Sequence, residues 1–208
     1  MKRNSSMATI NEALIKEAKA YVTSILTHEL SEKCLFHTIN HTLDVLKNAE
    51  IIGKYCNLNQ AEFQILRMSA LFHDLGYVDA YDEHEMHSAR RARAYLESKD
   101  VDERSIQKVE AAILSTRMPQ NPTDNISEML CDADLMNLTV DDYFEQVDLM
   151  RREWEKVGKA KMNSHEFHLN SLDFFRSHQY YSEYGKKILQ PKKEKVERKI
   201  KNKVAIDK

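Results

Sequence analysis

The sequence of 208 residues suits one domain with a substantial hydrophobic core, and its 4 Gly and 3 Pro are too few for a turn-rich β-fold. It contains no apolar run of about 18 residues, which excludes a membrane-spanning helix. The net charge is −2. Residues 186–208 contain ten Lys or Arg and three acidic residues, a charge of +7, so the rest of the chain carries −9. This acidic body argues against nucleic acid as a partner.

Apolar residues recur with helical spacing along most of the chain, so the sequence predicts an all-α bundle. Gly76 is predicted to end the third helix, and Pro191 to end the regular pattern. We expect one domain over residues 1–190, followed by a Lys-rich tail over 191–208 that is helical at its start and frayed later. The predicted helices cover, in chain order, about 10–30, 36–55, 60–74, 84–96, 102–114, 126–138, 141–154 and 164–175.

Two features concern the location of the protein. Met1–Ser6 contains basic residues with no apolar segment behind them, so we expect no secretory signal. Cys34, Cys56 and Cys131 form no paired motif and are typical of reduced thiols. We therefore expect a cytoplasmic protein without a membrane span.

The most informative stretch is Ser69–Tyr77, where an apolar helical run ends in the adjacent residues His73 and Asp74. An imidazole and a carboxylate at the buried end of a helix are costly to remove from water. A bound cation would offset this cost, because it satisfies the lone pairs of both groups. The pair alone is weak evidence, and it gains weight only if further ligands occur elsewhere in the chain.

Other polar residues in apolar helical surroundings supply such ligands. Together with His73 and Asp74, His41 and either Asp132 or Asp134 form a set of two imidazoles and two carboxylates with a charge of −2. This set suits one divalent ion such as Mn²⁺, Fe²⁺, Co²⁺, Ni²⁺, Zn²⁺ or Mg²⁺ better than Ca²⁺, which prefers oxygen alone. An octahedral ion would keep open positions for water or substrate, as in a catalytic site.

The order of these residues, H…HD…D, resembles the signature of the HD superfamily of metal-dependent phosphohydrolases. The segments that carry the resemblance are residues 36–41, 71–77 and 131–135, and it covers roughly 20–150, to which the C-terminal helices would be added. The resemblance implies an all-α HD-type helical bundle. It also implies the metal ligands, which are His41, His73, Asp74 and Asp134. Asp134 is preferred to Asp132 because the family has Ala-Asp followed by an apolar residue.

The resemblance also implies catalytic roles for two residues. His37 matches the histidine that precedes the metal ligand by four residues in the cyclic-nucleotide phosphodiesterase branch and protonates the leaving oxygen. If both lie on one helix, His37 and His41 face the same side, although His37 could instead orient Asp74 or cap a helix. Asp74 could accept a proton from water besides binding the metal. The Gly-Tyr-Pro extension of the cyclic-dinucleotide phosphodiesterases is absent, and the acidic residues after the doublet do not match the guanosine tetraphosphate hydrolases.

Four further residues have less certain roles. Asp132 could support the ligands without being one of them, while His84 and His87 could bind a second metal or simply begin a solvated helix. Arg117 could reach a substrate phosphate or be an ordinary loop arginine.

These observations predict a metal-dependent phosphohydrolase acting on a phosphate ester or anhydride of a small nucleotide-like substrate. The competing interpretation is a non-catalytic regulatory HD module that senses a metal or a nucleotide. A nucleic-acid-binding helical protein is a third alternative, for which only the Lys-rich end argues. Assembly into a homo-oligomer stays open.

Overall fold

The computed structural model of the protein describes residues 8–206, so the expectation for Met1–Ser6 lies outside the described residues. The predicted all-α fold is confirmed, since residues 8–206 contain no β-strand. None of the described helices has the length and apolar character needed to cross a membrane. The α-helices are α1 (Glu12–His28), α2 (Ile39–Tyr55), α3 (Gln60–Phe72), α4 (His84–Glu97), α5 (Glu103–Ser115), α6 (Asn125–Asp134), α7 (Tyr143–Val157), α8 (Ser164–Ser177) and α9 (Gln190–Ile206).

Short helical turns connect several of these helices. Leu75–Val78 and Leu135–Thr139 are 3-10 turns, and Gly185–Leu189 is a π-helical turn that leads directly into α9. The helix starts follow from local capping. The Asn59 side chain accepts a hydrogen bond from the backbone N–H of Glu62, and Asn163 forms a reciprocal capping box with Glu166.

Buried apolar residues form two clusters. The first is built from α1 to α6 around α3, which packs on α1, α2, α4, α5 and α6 and whose Leu66, Met68 and Phe72 are fully buried. The second is built from α7, α8 and α9, with Phe175 and Ile200 among its most buried members. The apolar stripe of each helix therefore faces a neighbouring helix, as amphipathic periodicity requires.

Gly76 does not end α3, contrary to the prediction. The helix ends at Phe72, and Gly76 lies inside the following 3-10 turn. A Cβ atom at this position would lie 2.1 Å from the carbonyl oxygen of His84 and 2.6 Å from the backbone nitrogen of Ser88. Glycine is needed here because the backbone of α4 approaches closely, and the Gly76 N–H donates to the Ser88 hydroxyl at 2.8 Å.

The helical start expected for the Lys-rich end is confirmed, but the expected fraying is wrong as far as residue 206. Residues 190–206 form α9, whose Val196, Ile200 and Val204 recur every four residues and pack in the second cluster. Pro191 is the second residue of α9 and directly follows the π-helical turn Gly185–Leu189 and Gln190, so it lies within a continuous helical run and does not break the pattern. The division of the chain into one domain over 1–190 and a separate end stays a prediction.

Candidate functional site

The end of α3 places a histidine in the protein interior. His73 is fully buried, and its Nδ1 donates to the carbonyl oxygen of Ala70 at 2.9 Å. A carbonyl oxygen can only accept, so Nδ1 carries the proton and the lone pair of a neutral ring is on Nε2. Such a hydrogen bond is the usual way in which a protein fixes the tautomer of a metal-binding histidine.

Two carboxylates converge on His73 and on His41 from α2. The Nε2 atom of His41 lies 3.2 Å from Oδ1 of Asp134 and 3.4 Å from Oδ2 of Asp74. The Nε2 atom of His73 lies 3.5 Å and 3.3 Å from the same two oxygens. Helices α2, α3 and α6 thus bring together all four residues that the sequence and the family resemblance named as metal ligands.

The donor atoms of this group fit a divalent cation. One atom each of His41, His73 and Asp134 lie within 4.8 Å of one another, and Asp74 Oδ2 lies within reach of both imidazoles. Two buried atoms, His73 Nε2 and Asp74 Oδ2, have no hydrogen-bond partner among the described residues. Buried polar atoms are normally paired, so a cation bound between these atoms would explain them and balance both carboxylates.

The electrostatics of the group are those of a cation site. Burial alone would raise the pKa of Asp74, but the neighbouring histidines, His73 first, hold it well below its usual range. Burial opposes a charged His73, yet Asp74 and Asp134 raise its pKa well above the ordinary value. A proton and a metal ion therefore compete for the same Nε2 lone pair of His73.

His37 lies beside this group but not on the helix that carries His41. Helix α2 begins at Ile39, so the expectation that both histidines share one helix is wrong. Their ring centroids are 5.8 Å apart, and the His37 ring stacks on Tyr77 at 4.5 Å. The Nδ1 of His37 donates to the carboxylate of Glu153, which leaves Nε2 free to face a ligand.

Glu153, on α7, holds the whole segment before α2. Its Oε2 accepts from the backbone N–H groups of Leu35 at 2.6 Å, Phe36 at 2.7 Å and His37 at 3.1 Å, and its Oε1 accepts from the Tyr81 hydroxyl at 2.8 Å. Burial would raise the pKa of this carboxyl, but the hydrogen bonds, above all the bond from His37, lower it to about 2. Glu153 is therefore a buried, ionised acceptor that fixes the orientation of His37.

A cavity of about 710 Å³ opens above these side chains. Its floor includes His37, His41, Asp74 and Asp134, and its other walls come largely from α7 and α8 of the second cluster. A cavity of this size accommodates a small organic ligand. The metal group and His37 are thus exposed to one enclosed space between the two clusters.

Comparison with known proteins identifies the family to which the fold belongs. A family model described as the HD domain matches residues 38–196, well over half of the chain. The chain belongs to the HD-domain family. The resemblance predicted from the sequence is confirmed, and membership supports a metal-dependent hydrolase.

A solved structure also resembles this HD-domain protein. It is the crystal structure of a predicted HD superfamily hydrolase from an uncultured Thermotogales bacterium, with 18% identity and a TM-score of 0.62 over 93% of this chain and 92% of that chain. At this identity the likeness concerns the fold. A search of curated proteins found no match.

In this HD domain, Asp132 has a structural partner of its own. It is fully buried, and its carboxylate accepts from the backbone N–H groups of Tyr181 and Ser182, both at 2.8 Å, and from the Ser182 hydroxyl at 2.6 Å. Burial raises the pKa of Asp132 to about 6 despite these bonds. Asp132 anchors the segment between α8 and α9, and it does not join the four converging residues.

The remaining predicted site residues, His84, His87 and Arg117, differ in their positions relative to the cavity. His84 Nε2 lies 3.5 Å from Asp74 Oδ1 and lines the cavity, whereas His87 is half-buried with Asp79 3.9 Å away and does not line it. Arg117 is exposed and pairs with Glu83 at 3.3 Å outside the cavity wall. A position close to substrate phosphate is therefore supported for His84 and not for Arg117.

The sequence analysis missed Glu153, Tyr81 and His178, all of which lie at or next to the cavity. A signal for Glu153 was present, since it occurs three residues after Met150 and next to Trp154, on the inward stripe of α7. A charged residue on an apolar stripe is the same kind of anomaly that pointed to Asp134. Tyr81 and His178 lie outside the α-helices and carry no comparable local signal.

Proposed function

We propose that this HD-domain protein is a metal-dependent phosphohydrolase that acts on a phosphate ester or anhydride of a small nucleotide-like substrate. One observation carries the proposal: two unpartnered buried ligand atoms, His73 Nε2 and Asp74 Oδ2, lie in a group of two imidazoles and two carboxylates on the floor of a ligand-sized cavity. A divalent cation held by this group would concentrate positive charge beside a substrate in the cavity, as phosphoryl transfer needs.

The residues that would hold the cation are His41, His73, Asp74 and Asp134. When bound, a divalent ion supplies Lewis acidity toward a phosphoryl oxygen and makes water a better nucleophile at neutral pH. Asp74 presents Oδ1 toward His84 and Oδ2 toward the two imidazoles, so its carboxylate can accept a proton from water on the cavity side.

His37 is suited to donate a proton to the leaving oxygen. It lines the cavity, its Nδ1 proton is committed to Glu153, and its Nε2 is the remaining donor. Stacking on Tyr77 restricts the ring to one orientation. A fixed donor beside the cation group is the arrangement that general acid catalysis requires.

The pair of His37 and Glu153 favours an enzyme over a regulatory module. A sensor needs a ligand pocket and an ion, but it gains nothing from a buried carboxylate that orients an imidazole beside them. Burying an ionised carboxylate is costly, and here its bonds all go to His37, to Tyr81 and to the backbone that carries His37.

The test is a hydrolysis panel run after elemental analysis of the purified full chain. Nucleotides and p-nitrophenyl phosphate are supplied with Mn²⁺, Co²⁺ or Mg²⁺, with and without a chelator. We expect turnover that the chelator abolishes and added metal restores. Tight nucleotide binding without turnover would favour the regulatory module, and salt-dependent retention on RNA or DNA would favour nucleic-acid binding.

A further inference from the structure

The charge on the cavity wall is small and mostly negative. Among the described residues that line the cavity, Asp74, Asp134 and Glu85 are the carboxylates and Lys159 is the one Lys or Arg, which gives a formal charge of −2 when every histidine is counted as neutral. A divalent cation at the metal group would bring this charge to zero. The Lys159 ammonium lies over the rings of Tyr81 and Trp154, at 5.4 Å and 5.1 Å from their centroids.

Two other cationic groups near the cavity do not add to this charge. Lys193 is buried, and its ammonium donates to the carbonyl oxygens of Phe175 at 3.0 Å and His178 at 2.5 Å, so it is directed at the backbone. His178 lines the cavity, but burial and the nearby Lys193 lower its pKa to about 4. The His178 imidazole is therefore neutral at physiological pH.

The wall opposite the metal group is apolar and aromatic. Half of its side chains are buried members of the second cluster, and the other half are partly buried and pack against that cluster. They are Leu138, Val147, Met150, Trp154, Phe167 and Phe174. This wall suits a flat, weakly polar ring system, and of the described residues that line the cavity Lys159 is the one Lys or Arg that could pair with a charged phosphate.

Besides Asp74, three residues that line the cavity carry buried polar atoms that have no hydrogen-bond partner among the described residues. Lysine can only donate, so the 3.4 Å contact with Lys193 makes His178 Nδ1 an acceptor and puts the proton on Nε2, which has no partner. Buried acceptors without partners are Oδ1 of Asn137 and Oε1 of Gln120, both on residues that line the cavity. An imidazole and two amide side chains among the lining residues suit the polar edge of a heterocyclic base better than an alkyl chain.

From this arrangement we propose that the substrate is a phosphate monoester with a single phosphate on a nucleoside-sized aromatic body, and not a nucleoside di- or triphosphate. The inference rests on the proposed phosphohydrolase function. A monoester carries a charge of about −1.5 to −2 near neutral pH, which the metal group can hold. Lys159 is the one Lys or Arg on the described lining that could pair with a further phosphate, so most of the added negative charge would lie unpaired against the apolar wall, which is costly.

The first test compares kcat/KM for the mono-, di- and triphosphates of the four common nucleosides, with p-nitrophenyl phosphate as a reference and the full chain loaded with Mn²⁺. We expect the preferred monophosphate to exceed its own di- and triphosphate by at least about 10-fold, because their extra charges stay unpaired. Triphosphate turnover equal to or faster than monophosphate turnover would overturn this inference alone. Failure to hydrolyse any of these compounds, p-nitrophenyl phosphate included, would overturn the proposed function and this inference with it.

A second test adds charge to the wall. Asn170 lines the cavity from α8, while its neighbour Leu169 is exposed and does not line it. Asn170→Lys should raise the ratio of triphosphate to monophosphate kcat/KM several-fold, and the matched control Leu169→Lys should leave the ratio unchanged. The same change in both variants, or no change in Asn170→Lys, would contradict a cavity that rejects polyphosphates for lack of cations.

Discussion

His37 and His73 are both held by a hydrogen bond at Nδ1, yet their partners give them different chemistry. The neutral carbonyl of Ala70 fixes His73 with its Nε2 lone pair toward two carboxylates, as a metal ligand requires. The ionised carboxylate of Glu153 fixes His37, as a proton donor requires. We therefore propose that His73 binds the cation and that His37 protonates the leaving group.

The first prediction concerns His37→Ala. The variant should retain its metal, because the four proposed ligands are untouched. It should lose roughly 10²–10⁴-fold in kcat on alkyl or nucleoside phosphates, whose leaving oxygen needs a proton. Turnover of p-nitrophenyl phosphate should fall much less. Equal losses on both substrates would indicate a positioning role, and loss of the metal would make His37 a ligand.

The second prediction concerns the pH dependence that Glu153 gives to the fold. A carboxyl pKa lowered from 4.5 to about 2 stabilises the native state above the unfolded pKa, and this contribution is lost as the pH falls from about 4.5 toward about 2. Its size at neutral pH is about 3 kcal/mol. Glu153→Gln should therefore lower the urea midpoint at pH 7, and the gap to the parent should narrow below pH 4.5.

The control for this experiment is Glu145→Gln, which changes an exposed carboxylate on the same helix. It should leave the urea midpoint close to that of the parent at every pH. A gap between Glu153→Gln and the parent that stays constant from pH 7 to pH 3 would contradict the assigned role of this carboxylate.

The third prediction compares two aspartates of α6. Asp134→Asn should weaken metal binding and abolish hydrolysis, because it removes a proposed ligand. Asp132→Asn should retain the metal, lower activity less and lower the melting temperature, because Asp132 binds the backbone of Tyr181 and Ser182. Metal content, kcat and thermal unfolding are measured on both variants to decide which aspartate binds the metal. The reverse order of effects would make Asp132 the metal ligand.

Among the secondary-structure elements, the sequence predicted those features that residues close together in the chain determine. Helix starts at Asn59 and Asn163 follow from caps that lie within four residues, and His73, Asp74 and Asp134 were visible as polar residues in apolar helical runs. Partners distant in sequence were not predictable. His37 and Glu153 are 116 residues apart, so no local pattern shows that α7 packs its carboxylate under the start of α2.

Two of the errors at element boundaries, at Gly76 and at Pro191, have the same origin. Glycine and proline were interpreted as local helix stops, but their roles depend on neighbours in space. Gly76 is needed because α4 approaches its backbone, and Pro191 lies within a continuous helical run that Val196 and Ile200 stabilise by packing in the second cluster with α8. Tertiary packing therefore overrode the local signal at both positions.

The fourth prediction tests the close approach at Gly76. Gly76→Ala should separate the 3-10 turn from α4 and destabilise the fold by about 1–3 kcal/mol, since the new Cβ would meet backbone atoms. Activity should fall as well, because α4 carries His84 to Asp74.

The control is Gly158→Ala, at a glycine with φ of 81° and no atom within 4 Å of a Cβ. It should cost about 1 kcal/mol through backbone strain alone and leave kcat unchanged. Urea unfolding and kcat measured on both variants separate the two cases. Equal effects on activity would contradict the proposed link between Gly76 and the site.

At the scale of the whole molecule, the cavity lies where the two hydrophobic clusters meet. The first cluster supplies the rigid helix ends that carry the four proposed ligands, and the second supplies the apolar wall. The Lys-rich helix α9 belongs to the second cluster, and two of its lysines pair with acidic groups, Lys199 with Asp141 and Lys201 with Glu197. Cytoplasmic location and a homo-oligomeric state stay predictions.

The central claim is that His41, His73, Asp74 and Asp134 hold a divalent metal, and the metal content of purified protein tests it most directly. The parent chain, His73→Ala and the control His28→Ala, which changes an exposed histidine on α1, are compared by elemental analysis, with circular dichroism to check that each is folded. We expect about one divalent transition metal per chain in the parent and the control, and its loss in His73→Ala. If folded His73→Ala binds metal as tightly as the parent, the metal site lies elsewhere.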